Sequence, residues 1–153
     1  MFPKMRDGNP PTTVQAISDF ERSSDLTLPS LYKEFLLAAN GGRPDLAAFP
    51  IEDLALNPLG VVHFFFGLHA SLPVYDLAQT FDWSQSRIPS GLVLIASTEG
   101  SDYVCLDLRN GGDRIAFWDH RHHWGTGEWR ESDLYHVANS FSEFLASLRP
   151  NPN

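Results

Sequence analysis

The chain has 153 residues, of which 42% are apolar and 20% are charged, and its formal net charge is −8 at pH 7. This length predicts one domain with its own core, and the composition argues against a disordered or fibrous protein. The acidic balance argues against nucleic acid or an anionic membrane as partner, because both require a basic surface. The single cysteine, Cys105, excludes an internal disulfide and predicts a reducing, cytoplasmic location.

The chain predicts neither a membrane span nor a targeting segment. Its longest apolar run, residues 61–68, is far too short to cross a bilayer. No apolar stretch follows the two cations near the N-terminus, so we expect no secretory signal. Residues 1–11 are expected to form a flexible arm, residues 12–149 a single domain and residues 150–153 a short tail.

Two helices are predicted in the first third of the chain. A capping box, Thr12-x-x-Gln15, opens the first helix, whose apolar face continues to Ser23. The second helix is expected to begin at Leu28-Pro29, because proline suits the first helical position. It is expected to end at Asn40-Gly41-Gly42, where glycine supplies the left-handed cap conformation.

The middle of the chain predicts a sheet. Residues 44–60 are ambiguous, with a short strand or a turn of helix near residues 51–56. Residues 61–68 scarcely alternate in polarity and therefore predict a buried strand, and residues 75–83 predict a short helix. Three strands joined by tight turns then predict an antiparallel meander. These strands are residues 92–96, 103–108 and 114–118.

The chain is predicted to close with a helix. Apolar residues share a helical face from Leu134 to Leu148. A second capping box, Ser140-x-x-Glu143, alternatively predicts that the regular helix begins only after Ser140. Helices segregated from an antiparallel sheet make an α+β domain. Parallel βαβ alternation is absent, which removes the usual nucleotide-binding crevice.

Four stretches, in this order, resemble the SUKH superfamily, which includes bacterial toxin-immunity proteins and the fungal Smi/Knr cell-wall regulators. They are the helix that begins Leu28-Pro29 and runs into Asn40-Gly41-Gly42, Ile88-Pro89 with residues 92–96, residues 103–108 with 115–120, and residues 138–145. The resemblance covers residues 12–148. The chain departs from the family where Ser101 separates Gly100 from Asp102. The resemblance implies a curved, mainly antiparallel sheet flanked by helices, no cofactor, no enzymatic activity, and function through protein binding.

The resemblance suggests an immunity protein that binds a nuclease-type or related toxin. The charge pattern fits this independently, because residues 44–86 contain no Lys or Arg and nucleases carry basic surfaces. Trp124 is the candidate aromatic anchor, whereas Trp118 is assigned to the core. The candidate partner-binding acids are Glu52, Asp53, Asp76, Asp82, Glu99 and Asp102. Solubility alone is the competing explanation of the acidic bias.

Two further functions remain open from the sequence. The first is an intracellular regulatory or scaffold module like the fungal regulators. The second is a metal-dependent enzyme built on Asp119-His120-Arg121-His122-His123, although this spacing matches no known ligand pattern and an exposed hairpin loop is the favoured interpretation. Cys105 is predicted to be a buried, unreactive thiol. We therefore expect no metal site and no catalytic residue, and the oligomeric state stays undetermined.

Overall fold

The computed structural model describes residues 2–52, 59–119 and 131–152. Short 3-10 helices at Pro73–Tyr75 and Glu131–Asp133 join longer elements. None of the helices in these ranges has the length and apolar character to cross a membrane. The elements are β1 (Met5–Arg6), α1 (Val14–Ser24), α2 (Ser30–Ala38), β2 (Arg43–Pro44), β3 (Ala48–Pro50), β4 (Leu59–Phe65), α3 (Leu77–Ser84), β5 (Leu92–Thr98), β6 (Tyr103–Asp107), β7 (Arg114–Trp118), β8 (Leu134–Ala138) and α4 (Phe141–Ser147).

Six strands form one antiparallel sheet in the order β3-β4-β5-β6-β7-β8, so each strand pairs with its neighbour along the chain. The predicted meander and the α+β class are confirmed. The register shifts within the β4–β5, β5–β6 and β7–β8 pairs. Such irregularities increase local twist and bend the strands, which accounts for the curvature of the sheet.

Backbone hydrogen bonds join the two edges of this sheet to other parts of the chain. Ala48 in β3 exchanges hydrogen bonds of 2.9 and 3.0 Å with Arg149, which follows α4. Just beyond β3, the Glu52 N–H donates to the carbonyl of His136 in β8 at 3.1 Å. Both edge strands are therefore partly covered, which limits edge-to-edge association.

One part of the core lies between one face of the sheet and helices α2 and α4, and the buried cluster continues on the other face with Leu94, Cys105 and Trp118. Phe65 in β4 makes edge-to-face contacts with Phe35 of α2 at 5.1 Å and with Phe144 of α4 at 6.3 Å. Phe35 and Phe141 also meet, at 5.4 Å. Aromatic pairs in this geometry add to the free energy gained by burying their area. We call this side of the sheet the inner face.

The N-terminal segment makes specific contacts with the rest of the domain, although the sequence predicts a flexible arm there. Strand β1 pairs with β2, and the ring of Phe2 lies 5.7 Å from that of Phe35. The first helix is capped by Thr13, whose hydroxyl accepts from Ala16 N–H at 3.1 Å. The predicted capping residue, Thr12, is therefore wrong by one position.

Two of the predicted helix ends need correction. Leu134–Ala138 forms strand β8 rather than helix, because these residues complete the ladder with β7. Helix α4 begins only after Ser140, whose hydroxyl accepts from Glu143 N–H at 3.0 Å, as the capping box predicts. Helix α2 ends with Ala39 in an extended conformation, so the following glycines are not its cap. A Cβ on Gly41 would lie 2.7 Å from the Phe65 carbonyl oxygen, so this glycine permits close backbone approach.

Candidate protein-binding surface

The register of the sheet places a row of aromatic side chains on the face opposite the core helices. Directly paired residues of antiparallel strands point to the same face. Phe64 pairs with Ser97, Ser97 with Tyr103, and Tyr103 with Trp118, which in turn pairs with Leu134. We call this side the outer face, and Phe64, Tyr103 and Trp118 the aromatic row.

Helix α3 and the turn before it add two aromatic rings to this row. The ring of Tyr75 stacks on Phe64, with centroids 4.1 Å apart and planes 13° from parallel. The ring of Trp83 lies 5.7 Å from Tyr103 and 6.4 Å from Trp118. Trp118 is only 2% exposed, as expected for a core residue, whereas Trp83 is 38% exposed. Trp83 is therefore the solvent-exposed edge of the aromatic cluster.

Asp76 fixes the start of α3. Its carboxylate accepts from Gln79 N–H at 3.0 Å, which caps the helix, and from Ala70 N–H at 2.9 Å, which closes the preceding turn. The Gly67 carbonyl accepts from Leu77 N–H at 2.8 Å and ties the helix to the end of β4. The Asp76 side chain is buried and serves the fold, which removes it from the acids that a partner can contact.

The turn held in this way presents an apolar tip to solvent. Leu72 is 55% exposed and Val74 is 68% exposed, on either side of Pro73. Tyr75 fixes the position of these residues through two contacts. Its ring stacks on Phe64, and its hydroxyl lies 3.1 Å from His63 Nε2. We call Leu72, Pro73 and Val74 the apolar tip.

The predicted acids separate into exposed and buried groups. Asp82 and Glu99 are exposed, Asp82 directly before Trp83 in α3 and Glu99 in the turn between β5 and β6. Glu52 is also exposed, but it lies at the margin of the sheet next to β8. Asp102 is buried, and its N–H donates to the Thr98 hydroxyl at 3.1 Å in that same turn. Asp53 and Trp124 lie outside the described residues.

One cation lies directly on the exposed tryptophan. The guanidinium of Arg87 is 4.5 Å from the centre of the Trp83 ring and donates a hydrogen bond to the Trp83 carbonyl. Such stacking is a cation–π interaction, which the electron-rich face of an indole favours. The site therefore already binds a guanidinium of its own chain.

An ion-pair network occupies the opposite end of β6. Arg109 lies 3.0 Å from Asp107 and 3.2 Å from Glu131, which opens the turn into β8. Partial burial raises the pKa of Asp107, but hydrogen bonds from Arg109 outweigh it and leave the pKa below its usual value. This network joins β6 to the start of β8 across the sheet.

Cys105 and the run that begins at Asp119 are the residues that the sequence suggested for catalysis or metal binding. Cys105 is fully buried, as predicted, and burial raises the pKa of its thiol, which suppresses the nucleophilic thiolate. Asp119 is buried, and its N–H donates to the Asp133 carbonyl at 3.0 Å. Residues 120–123 of the histidine run lie outside the described residues. Within the described ranges, no three His, Cys, Asp or Glu side chains group closely enough to hold a metal ion.

Sequence reasoning missed Trp83, Tyr75 and the pairing of Tyr103 with Trp118. The last of these was within reach, because β6 and β7 were predicted and their turn at residues 110–112 sets the register. The positions of Tyr75 and Trp83 depend on how α3 packs, for which the sequence carries no local signal.

Comparison with known proteins agrees with this architecture. The model of the SMI1 / KNR4 family (SUKH-1) matches residues 11–147, which include all four stretches that carry the resemblance. The chain is also similar to the SPbeta prophage-derived uncharacterized protein YokK of Bacillus subtilis (strain 168). The two are 29% identical over 158 aligned residues, which cover 92% of this chain and 76% of YokK.

Proposed function

Because this chain belongs to the SMI1 / KNR4 family (SUKH-1), we propose that it is a non-catalytic, protein-binding domain of the cytoplasm. More specifically, we propose an immunity protein that binds and neutralises a basic, nuclease-type bacterial toxin. The observation that carries the proposal is the exposed side of α3 and of the turn before it, where Leu72, Val74 and Trp83 are exposed together with Asp82. A surface of this kind provides apolar area that a partner can bury and negative charge that favours a basic partner.

The charge of the chain supports a basic partner. The net charge is −8, and residues 44–86 contain no Lys or Arg. Asp82 is exposed in α3, Glu99 is exposed in the turn that follows β5, and Glu52 is exposed at the margin of the sheet. A nuclease carries a positive surface for its own substrate, so a negative domain is steered towards that surface and covers it.

Neutralisation by occlusion requires no chemistry from this domain. An interface of ordinary size buries about 800 Å² on each partner. Such an interface reaches nanomolar affinity, about −12 kcal/mol, when it has a well-packed centre. The domain would then exclude the toxin's substrate for as long as the complex lasts.

A second candidate function is a regulatory binding module, and the family description, which names SMI1 and KNR4, favours it. Such a module would act on a partner of its own cell rather than on a toxin. The outer face would serve either function, so the identity of the partner separates them.

A co-expression survival assay tests the immunity proposal. The C-terminal domain encoded immediately upstream would be induced in bacteria with and without this protein. We expect the domain to arrest growth alone and this protein to restore growth. Arrest in both cultures, or in neither, would contradict the immunity proposal and leave the regulatory module as the candidate.

The charge argument has its own test, with matched variants. Asp82 and Glu99 would be replaced together by Lys, and the control would replace Glu34 and Glu143, exposed acids of α2 and α4. Both double variants change the net charge equally. We expect association with the toxin domain to slow by about tenfold at low salt only for the outer-face variant, with the difference shrinking as salt rises. If association slows equally in both variants, the effect comes from the net charge of the chain and not from the positions of Asp82 and Glu99.

A further inference from the structure

We infer that the apolar tip and Trp83 together form the centre of the docking surface, and that the partner brings an arginine or lysine side chain set among apolar groups. The inference rests on the proposed function and deepens it by naming the surface and the chemistry of its partner. It uses residues 72–74 and 83, none of which the sequence predicted as contacts.

Packed side chains connect the tip to Trp83. Tyr75, at the base of the tip, stacks on Phe64 at 4.1 Å, and Phe64 begins the paired row that leads through Ser97 to Tyr103. Trp83 packs against Tyr103 at 5.7 Å. Helix α3, which begins directly after the tip and carries Trp83 near its end, joins the two across the outer face.

The exposure of these side chains is costly unless something covers them. Val74 is 68% exposed, Leu72 is 55% exposed and Trp83 is 38% exposed. A group of exposed apolar side chains bordered by carboxylates is typical of an interaction site, and tryptophan is enriched among residues that dominate binding.

The tip is also held in place before any partner arrives. Pro73 restricts the backbone, the Asp76 carboxylate accepts from Ala70 N–H at 2.9 Å, and the Tyr75 hydroxyl lies 3.1 Å from His63. A preformed surface loses little conformational freedom on binding, which favours affinity.

Charge identifies the partner. Asp82 directly precedes Trp83 in α3, and Glu99 is exposed in the turn at the end of β5. The Arg87 guanidinium already lies 4.5 Å from the centre of the Trp83 ring, so a partner cation would meet the exposed carboxylates of Asp82 and Glu99 rather than that face of the indole. A second copy of this chain fits poorly, because each copy carries a net charge of −8 and repels the other.

The chain offers a closely matched pair of variants. Val74→Asp places a charge on the tip, and Val14→Asp places the same charge on α1, where Val14 is 66% exposed against 68% for Val74. Trp83→Ala removes the indole itself. Affinity for the purified, catalytically inactive domain encoded upstream would be measured by surface plasmon resonance, after thermal melting confirms that each variant is folded.

We expect Val74→Asp and Trp83→Ala to weaken binding by about tenfold or more, and Val14→Asp to bind within about twofold of the unaltered protein. If the unaltered protein binds and both outer-face variants bind equally well, the inference fails and the proposed function stands. If the unaltered protein does not bind that domain, both the immunity proposal and the inference fail. A dimer of the unaltered protein that Val74→Asp dissociates would assign the surface to a second copy and overturn the inference.

Discussion

A single buried side chain, Asn40, holds three segments of the chain together. Its amide nitrogen donates to the carbonyls of Pro10 and Leu68, each at 2.8 Å, and its side-chain oxygen accepts from the Leu68 N–H at 2.8 Å. These bonds join the N-terminal segment and the end of α2 to the chain that follows β4. The turn that carries the apolar tip begins just beyond Leu68, so the bonds of Asn40 to Leu68 help to fix the position of that turn.

Replacing Asn40 by Ala is expected to lower the free energy of unfolding by about 3 kcal/mol, because it leaves several buried backbone groups without their partners. Urea denaturation would measure the change. The control is Asn139→Ala, since Asn139 is exposed in the turn before α4. A loss of less than about 1 kcal/mol for Asn40→Ala would show that the backbone groups find other partners.

The candidate site shows which part of a binding surface can be predicted from residues alone. The sequence shows that this part of the chain is acidic, but it cannot tell that Asp76 and Asp102 are buried while Asp82 and Glu99 are exposed. In the sequence alone, an acidic residue that caps a helix cannot be distinguished from one whose carboxylate faces solvent. The predicted helix begins at residue 75, which places Asp76 inside it, whereas Asp76 is the N-cap of α3.

At the scale of elements, a helix or strand is predicted more accurately when the residues that stabilise it are close to it in the sequence. Strands β5, β6 and β7 are joined by tight turns whose chemistry is visible in the sequence, and all three were predicted. Strand β8 was predicted as helix, because its apolar residues also fit the helical spacing that continues into α4. Its backbone pairs with β7 across the intervening residues 119–133, and no local pattern reports such a contact.

Helix α3 is short, with eight residues, and depends on its cap. We expect Asp76→Ala to lower the free energy of unfolding by about 2 kcal/mol, because the helix loses its N-cap and the turn loses its bond to Ala70 N–H. Chemical denaturation would check this, with Asp82→Ala, an exposed position of the same helix, as the control. Equal stability of the two variants would mean that packing alone holds α3.

If α3 loosens, the outer face should change with it. Trp83 contacts Tyr103 and Trp118 only while the helix lies against β5. The element that carries the exposed indole is thus the same one that an internal carboxylate fixes. On the proposed docking surface, the stability of α3 and the affinity for a partner would therefore be coupled, and Asp76 would act through position, without contact.

At the scale of the whole molecule, the sheet is covered on both faces at its centre, and its edges are bonded to other parts of the chain. The inner face is covered by α2 and α4, and α3 packs on the outer face with the aromatic row, so that Leu94, Cys105 and Trp118 are buried there. At the edges, Ala48 pairs with Arg149 and the Glu52 N–H binds the His136 carbonyl. A domain arranged in this way can offer one face to a partner without offering its strand edges to further copies of itself.

The edge bond at Arg149 can be tested without shortening the chain. Arg149→Pro removes the N–H that donates to the Ala48 carbonyl at 3.0 Å, whereas Arg149→Ala keeps that N–H and removes only an exposed side chain. The preceding residue, Leu148, has ψ of 132°, which is compatible with a following proline. The two variants therefore differ in that hydrogen bond and in the φ angle that proline fixes at position 149.

We expect Arg149→Pro to lower the free energy of unfolding by about 1–3 kcal/mol, since a buried edge carbonyl loses its donor, and Arg149→Ala to remain close to the unaltered protein. We also expect the proline variant to associate at high concentration, because one of the two hydrogen bonds that cover this edge of β3 is lost. Urea denaturation and light scattering would measure the two effects. Lost stability without association would mean that the remaining bond from the Ala48 N–H to the Arg149 carbonyl and the nearby contacts of α4 still protect this edge.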